Sequence, residues 1–240
     1  MTREPITIVA MSDLHGLLIN PNDLPPGDVY CICGDIMPLN VQSDTVESIA
    51  WLCTKFFPWV EQLKCDKCIF VAGNHDFIFQ TLYQDRHGQH RKPKRVLRKL
   101  MAPAKLTLLD DSELIYKGYR FYGSPWIHDL QSWAFYADHD KLVERFSKIP
   151  ENVDVLITHC PPRVMEFGMV TAGAWNRYTD YGCDELREAV FNKKPKLHIF
   201  GHVHTGRHSR LEIDGTMYAN VSIKDEDYRH AYDAQIFNIS

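Results

Sequence analysis

No apolar run in this sequence approaches the ~20 residues that a membrane-spanning helix needs. The first apolar stretch, residues 6–10, is also too short for the core of a secretory signal. A soluble, cytoplasmic protein with no membrane partner is therefore expected. Surplus positive charge is missing too: 27 Lys and Arg stand against 31 Asp and Glu, a formal net charge of −4. That argues against a nucleic-acid coat protein, whose affinity comes from excess cations, and no stable nucleic-acid partner is expected. A small anionic substrate remains open. The chain contains no GxSxG elbow, no Walker A loop and no GxGxxG turn, so serine-hydrolase and nucleotide-kinase readings have no support. It also lacks a Pro/Gly/Ser-rich linker, a low-complexity tract and an internal repeat. Cysteine numbers seven, an odd count, and Cys65-x-x-Cys68 has no second CxxC. Ordinary reduced, buried thiols are the expectation.

What is present fits one α/β domain. The 240 residues are 45% hydrophobic and 24% charged, which excludes a disordered chain, a collagen and a coiled coil. Short apolar runs rich in β-branched residues recur at 6–11, 29–33, 68–72, 153–158 and 196–200. Such runs suit strands buried on both faces. Helical patterns lie between them. Asp44 with Glu47 resembles a helix cap, and Pro58 should kink or split the helix that follows. Residues 138–148 and 184–194 form two more helical patterns, stopped by Pro150 and Pro195. Residues 106–109, 113–122, 209–213 and 217–221 alternate and are joined by turns such as Asp214-Gly215, which suggests antiparallel strands and hairpins. The expected architecture is a mixed α/β sandwich of two sheets with helices outside. The segment 86–99 holds seven Lys or Arg, two His and no acid; it is either a solvated face or a steering patch for anions.

The chemistry sits where the strands end. Each buried run leads straight into polar residues: Asp13-Leu14-His15, Gly34-Asp35, Gly73-Asn74-His75-Asp76, His159, and Gly201-His202-Val203-His204. Ligands of open α/β sheets bind beyond the carboxyl ends of the strands, so these ends should converge on one edge. Asp, His and Asn offer oxygen and nitrogen donors without thiolate, a set suited to Mn, Fe, Zn or Ni. The i, i+2 spacing of Asp13 with His15, and of His202 with His204, lets each pair face one cluster on extended chain. Seven candidates (Asp13, His15, Asp35, Asn74, His159, His202 and His204) exceed the needs of one ion. They suit two divalent ions about 3.5–4 Å apart with one bridging carboxylate.

The elements DxH, GD, GNH(D/E), H and GHxH, in that order, resemble the calcineurin-like metallophosphoesterase superfamily. The segments Tyr122-Gly123-Ser124-Pro125-Trp126, Thr158-His159-Cys160-Pro161-Pro162, Gly182-Cys183-Asp184-Glu185-Leu186 and the run from Pro195 to His202 resemble more narrowly the MPPED-type, class III cyclic nucleotide phosphodiesterases. The resemblance implies a single metallophosphoesterase domain over 1–240, folded as a four-layer αββα sandwich of two mixed sheets flanked by helices. It implies that Asp13, His15 and His204 hold one metal, that Asn74, His159 and His202 hold the other, and that Asp35 bridges. Hydroxide between the metals would attack phosphorus in line. His75 would protonate the leaving alkoxide, and Asp76 would orient His75. The cofactors would be two divalent ions, Mn foremost, with Fe, Zn, Ni or Co as alternatives. Activity should fall with metal loss below about pH 6, because ligand histidines must be neutral.

The expected function is hydrolysis of small phosphodiesters, cyclic nucleotides among them. The alternatives are a phosphomonoesterase or protein phosphatase, then a nuclease, then a metal-binding scaffold with a degenerate site. For substrate contact the candidates are Trp126 and His128 in an aromatic loop that also holds Trp133, and His208. The loop aromatics could equally be core or an oligomer contact, and monomer and dimer remain open. His198, in mid-strand, is expected to be a core histidine, and Asn220 and Ser222 to brace the ligands.

Overall fold

The computed structural model describes residues 3–83, 100, 102–172 and 177–240. Its strands are β1 (Ile6–Met11), β2 (Val29–Ile32), β3 (Lys67–Val71), β4 (Leu106–Leu109), β5 (Ser112–Tyr116), β6 (Tyr119–Ser124), β7 (Val155–Thr158), β8 (Met169–Ala172), β9 (Arg177–Asp180), β10 (Leu197–Phe200), β11 (Leu211–Ile213), β12 (Thr216–Asn220) and β13 (Gln235–Ile239). One sheet has the order β13-β1-β2-β3-β4 and the other β11-β12-β10-β7-β6-β5, while β8 and β9 form a separate ribbon. Both large sheets are mixed. In the first, only β13 runs antiparallel to its neighbour. In the second, β12, β10, β7 and β6 are parallel, with antiparallel edges β11 and β5.

Alternation along the strands builds two cores, because successive side chains point to opposite faces. Ile6, Ile8 and Ala10 of β1 meet Val155 and Ile157 of β7 and Ile199 of β10 between the sheets. Val9 and Met11, one position out of step, join the outer layer with Tyr30, Phe70 and the helical residues Leu52, Phe56 and Val60. On the far side Leu156, Phe200 and Tyr218 meet Leu142, Phe146, Leu186 and Val190. This gives the expected order of helix, sheet, sheet, helix. Full burial of each such side chain contributes roughly 1.5–3 kcal/mol.

The helices follow local chemistry. Asp44 caps α1 (Thr45–Trp51), its carboxylate accepting from the N–H groups of Val46 at 2.8 Å and Glu47 at 2.9 Å. A π-turn over Leu52–Phe56 then leads into α2 (Phe57–Gln62). Pro58 has no N–H to continue the ladder, so the helix is split by a change of winding. Further helices are α3 (Phe77–Tyr83), α4 (His139–Ser147) and α5 (Asp184–Lys193).

The structure corrects one expectation and adds to what the sequence showed. Residues 106–109 form β4, which pairs parallel with β3 and is not part of a hairpin. The hairpin expected over 209–221 is present as β11 and β12, and β12 also pairs parallel with β10. β13 carried no readable signal, since Phe237 is its one buried side chain. The basic segment 86–99 lies outside the described residues. Among the described residues no helix is long and apolar enough to cross a membrane.

Candidate metal centre

β1, β2 and β3 share one direction, as do β7 and β10, and the loops at their carboxyl ends meet. Asp13, His15 and His204 bring ligand atoms within 4.8 Å of one another, as do His15, Asp35 and His75, and Asp13, Asp35 and His159. Asn74 Oδ1 lies 2.8 Å from His159 Nε2 and 2.9 Å from His202 Nδ1. All seven expected ligands therefore stand in one cluster. Asp35 Oδ2 lies 3.8 Å from His15 Nε2 and 3.3 Å from His159 Nε2, between the two sets.

The backbone is bent hard to achieve this. Asp13, His15, Asp35 and His202 occupy the left-handed region, with φ of 58°, 42°, 54° and 69°. Non-glycine residues are uncommon there, and four of them gathered at one centre mark backbone held by its surroundings. Gly34 turns at φ 102°, and a Cβ on it would overlap the His159 ring. A Cβ on Gly201 would overlap Ser12 Oγ and the Asp13 carboxylate. Glycine is thus required for close approach at these two positions.

Three histidines are aimed through their second nitrogen. His159 Nδ1 donates to the Cys33 carbonyl at 2.8 Å, and His204 Nδ1 to the Asp225 carbonyl at 2.9 Å. His202 Nε2 lies 3.3 Å from one oxygen of Asp129 and 3.4 Å from the other. The opposite nitrogen of each ring faces the cluster, as in metal-binding histidines. His15 differs: both ring nitrogens are buried with no hydrogen-bond partner among the described residues. Leaving such groups unpaired is costly, and a cation is the natural partner for an imidazole nitrogen beside two carboxylates. Burial lowers His15 to about 4, which keeps it in the neutral form a cation binds.

The electrostatics point the same way. Burial pushes the Asp35 carboxyl up, but the charges of His159, His75 and His15 outweigh it and hold it well below the usual range. Burial lowers His159 and His204, yet Asp35 and Asp13 respectively outweigh that and raise both to about 9. A cation entering here displaces those protons and takes over the compensation of the carboxylates. Burial keeps the Cys33 and Cys160 thiols well above their ordinary range, so neither is a thiolate ligand. The donor set is oxygen and nitrogen, and the residues fit a pair of divalent ions.

The calcineurin-like phosphoesterase family profile matches residues 6–206. The chain belongs to that family. Phosphoesterases of this family carry a binuclear divalent metal centre. The chain is 32% identical over 236 residues to human metallophosphoesterase domain-containing protein 1, covering 92% of this chain and 67% of the relative. It is 29% identical to a UPF0046 protein of Caenorhabditis elegans, covering 98% of this chain and 81% of that one. Two solved structures share the fold: TT1561 of Thermus thermophilus (TM-score 0.59, 13% identity, 90% and 89% coverage) and a phosphopantetheinyl hydrolase from Mycobacterium tuberculosis (TM-score 0.55, 15% identity, 90% and 89% coverage).

Around the centre of this calcineurin-like phosphoesterase, several side chains have roles other than those expected. His75 is nearly buried, with Nε2 3.8 Å from Asp35 Oδ2. Its partner is Gln42, whose Oε1 lies 2.5 Å from His75 Nδ1. Asp76 does not orient His75. Its two oxygens accept from the N–H groups of Gly73, Asp35, Ile36 and Met37 at 2.8–3.1 Å, tying the GNHD turn to the GD loop. Trp126 is only 6% exposed, donates to Asp111 at 2.9 Å and carries the Arg145 guanidinium 4.4 Å above its ring. It is core and cannot stack on a substrate. His208 bonds the His204 carbonyl at 2.7 Å and stacks on Tyr232 at 3.6 Å, bracing the ligand loop from behind. His128 Nδ1 lies 3.6 Å from Cys160 Sγ, beside Asp129. The aromatic loop does deliver Trp133, which lies 4.3 Å from the His75 ring.

His198 is a core histidine, bonded to Thr158 Oγ1 at 2.9 Å and lowered by burial to about 3. Asn220 Nδ2 donates to the Val203 carbonyl at 2.7 Å, between His202 and His204. Gln42, Asp129, Asp225 and Tyr228 escaped sequence reasoning. Each lies in a loop with no local pattern, and only the fold brings it to the centre.

Proposed function

We propose that this chain is a two-metal phosphodiesterase acting on small phosphodiesters, cyclic nucleotides among them. The observation that carries this reading is His75, a nearly buried imidazole held by Gln42 through Nδ1 with Nε2 directed at the ligand cluster. A phosphodiester has a poor alkoxide leaving group, and cleavage needs a proton delivered to that oxygen.

Asp13, His15 and His204 would hold one divalent ion, and Asn74, His159 and His202 the other, with Asp35 between them. Bound there, the pair supplies neutralisation of phosphate charge and water activation near neutral pH. The oxygen and nitrogen donors are compatible with Mn²⁺ as the working ion, as they are with Fe, Zn or Ni. Gln42 accepts from Nδ1–H of His75, which leaves Nε2 to carry the transferred proton. The step moves that proton from Nε2 to the departing oxygen and contributes about 10²–10⁴-fold. The Trp133 ring packed on His75 limits its rotation and shields it from water.

The test is reconstitution with Mn²⁺ followed by turnover of bis(p-nitrophenyl) phosphate and p-nitrophenyl phosphate, with Asp35→Asn as control. Faster diester cleavage, lost together with both metals in the control, is the expected result. The reverse preference would make the protein a phosphomonoesterase. Bound metal without turnover of either ester would make it a degenerate scaffold.

A further inference from the structure

Tyr228 is an aromatic residue on the loop between β12 and β13. It belongs to neither hydrophobic core and leaves 39% of its surface exposed. Yet its ring stands edge-on to three histidines of the centre, with centroids 4.8 Å from His15, 5.2 Å from His204 and 6.4 Å from His75. It also sits at φ 60°. A bulky L-residue is a real outlier in that region, and such strain persists only where the surroundings over-determine it.

The surroundings do so here. The Asp225 carboxylate accepts from the N–H groups of Asp227 at 3.0 Å and Arg229 at 2.8 Å. The Tyr228 N–H donates to the Asp225 carbonyl at 2.9 Å, and the Asp225 N–H to the Arg229 carbonyl at 3.0 Å. That same Asp225 carbonyl accepts Nδ1–H of His204. One turn therefore aims a metal-ligand candidate and positions the tyrosine against it. The half-buried Trp133 ring also packs on His75, 4.3 Å between centroids. The centre is walled by two aromatic rings carried on loops distant in sequence.

We infer that Tyr228, at the edge of the ligand cluster, forms the subsite for a planar aromatic group of the substrate, such as a nucleobase or an aryl ester. The inference rests on the phosphodiesterase reading and assigns the residue that would receive the ester's aromatic part. Stacking on one aromatic side chain strengthens binding about ten- to hundredfold. A methyl group in the same place gains little from the ring.

The experiment compares bis(p-nitrophenyl) phosphate with methyl p-nitrophenyl phosphate, which release the same leaving group and differ in the group retained. In Tyr228→Ala the preference for the bis-aryl ester, as the ratio of kcat/KM values, should fall ten- to hundredfold, chiefly through KM. Tyr228→Phe should restore it. Tyr228→Gly should lose the same preference while Tm rises by a few degrees, since glycine accepts positive φ without strain. Binding of adenosine monophosphate to the Mn²⁺-loaded protein, followed by calorimetry, should weaken in Tyr228→Ala with metal content unchanged. Equal losses on both esters, loss of metal, or a lower Tm in Tyr228→Gly would overturn the subsite. If the wild-type protein cleaves no diester, the phosphodiesterase reading fails alone, and the nucleotide-binding comparison still decides the role of Tyr228.

Discussion

The two sheets deliver their ligands by different means. The five-stranded sheet supplies Asp13, His15, Asp35 and Asn74 from turns whose backbone is itself forced into place. Three of these four residues have positive φ, and the Asp76 carboxylate ties the Gly73 and Asp35 turns together. The six-stranded sheet supplies only histidines, each aimed by its second ring nitrogen onto Cys33, Asp129 or Asp225. The reason is chemical. A carboxylate ligand has no ring to steer from its far side, so its aim comes from the turn that carries it and from backbone N–H groups, as from His75 to Asp35 Oδ1 at 2.8 Å, whereas an imidazole can be steered through its second nitrogen. His15 sits in the backbone-held group, and its ring makes no hydrogen bond to a described residue. The first region should therefore fail as a unit and the second one side chain at a time.

The largest expected effect concerns the residue that fits neither class. His75 comes from the backbone-held sheet, but its ring is anchored by Gln42 like the histidines opposite. His75→Ala should lose about 10²–10⁴-fold in turnover of alkyl diesters while both metals stay bound. Lost metal by elemental analysis would make it a ligand instead. Gln42→Leu should act in the same direction by about tenfold at most, more on alkyl than on activated aryl esters.

Next comes the clamp. Asp76→Ala strands four buried N–H groups and should cost at least about 3 kcal/mol, seen as a Tm lower by roughly 6–12 °C. It should weaken metal binding at both positions together, because Asp35 and Asn74 both move. A selective loss of one metal would break the contrast between the sheets. The smallest effect is expected on the ring-held side. Asp129→Ala frees Nε2 of His202 and should weaken one of the two metals about 10–100-fold, leaving the other in place. Competition against a chelator reads both affinities. Equal weakening of both ions would show that the ring anchors are coupled after all.

Much of the framework was legible because buried parallel strands and strand-end ligands both leave local marks. Residues 6–11 are apolar but for Thr7 and precede Asp13 and His15, so the strand and its chemistry could be read together. Residues 106–109 alternate like a half-exposed antiparallel strand, and only their pairing with β3 shows otherwise. Trp126 and Trp133, seven positions apart in one loop, were indistinguishable as sequence. Packing decides that the first is core under Arg145 and the second touches His75.

By itself the sequence determined the five buried strands, three of the helical stretches, the donor atoms and the turns that carry them, since each depends on neighbours within a few positions. Tertiary structure alone decided what supports those donors. Gln42 reaches His75 across 33 positions, Asp129 reaches His202 across 73, and the Asp225 turn reaches His204 across 21. A hydrogen bond needs atoms within about 3 Å in space and leaves no periodic trace along the chain.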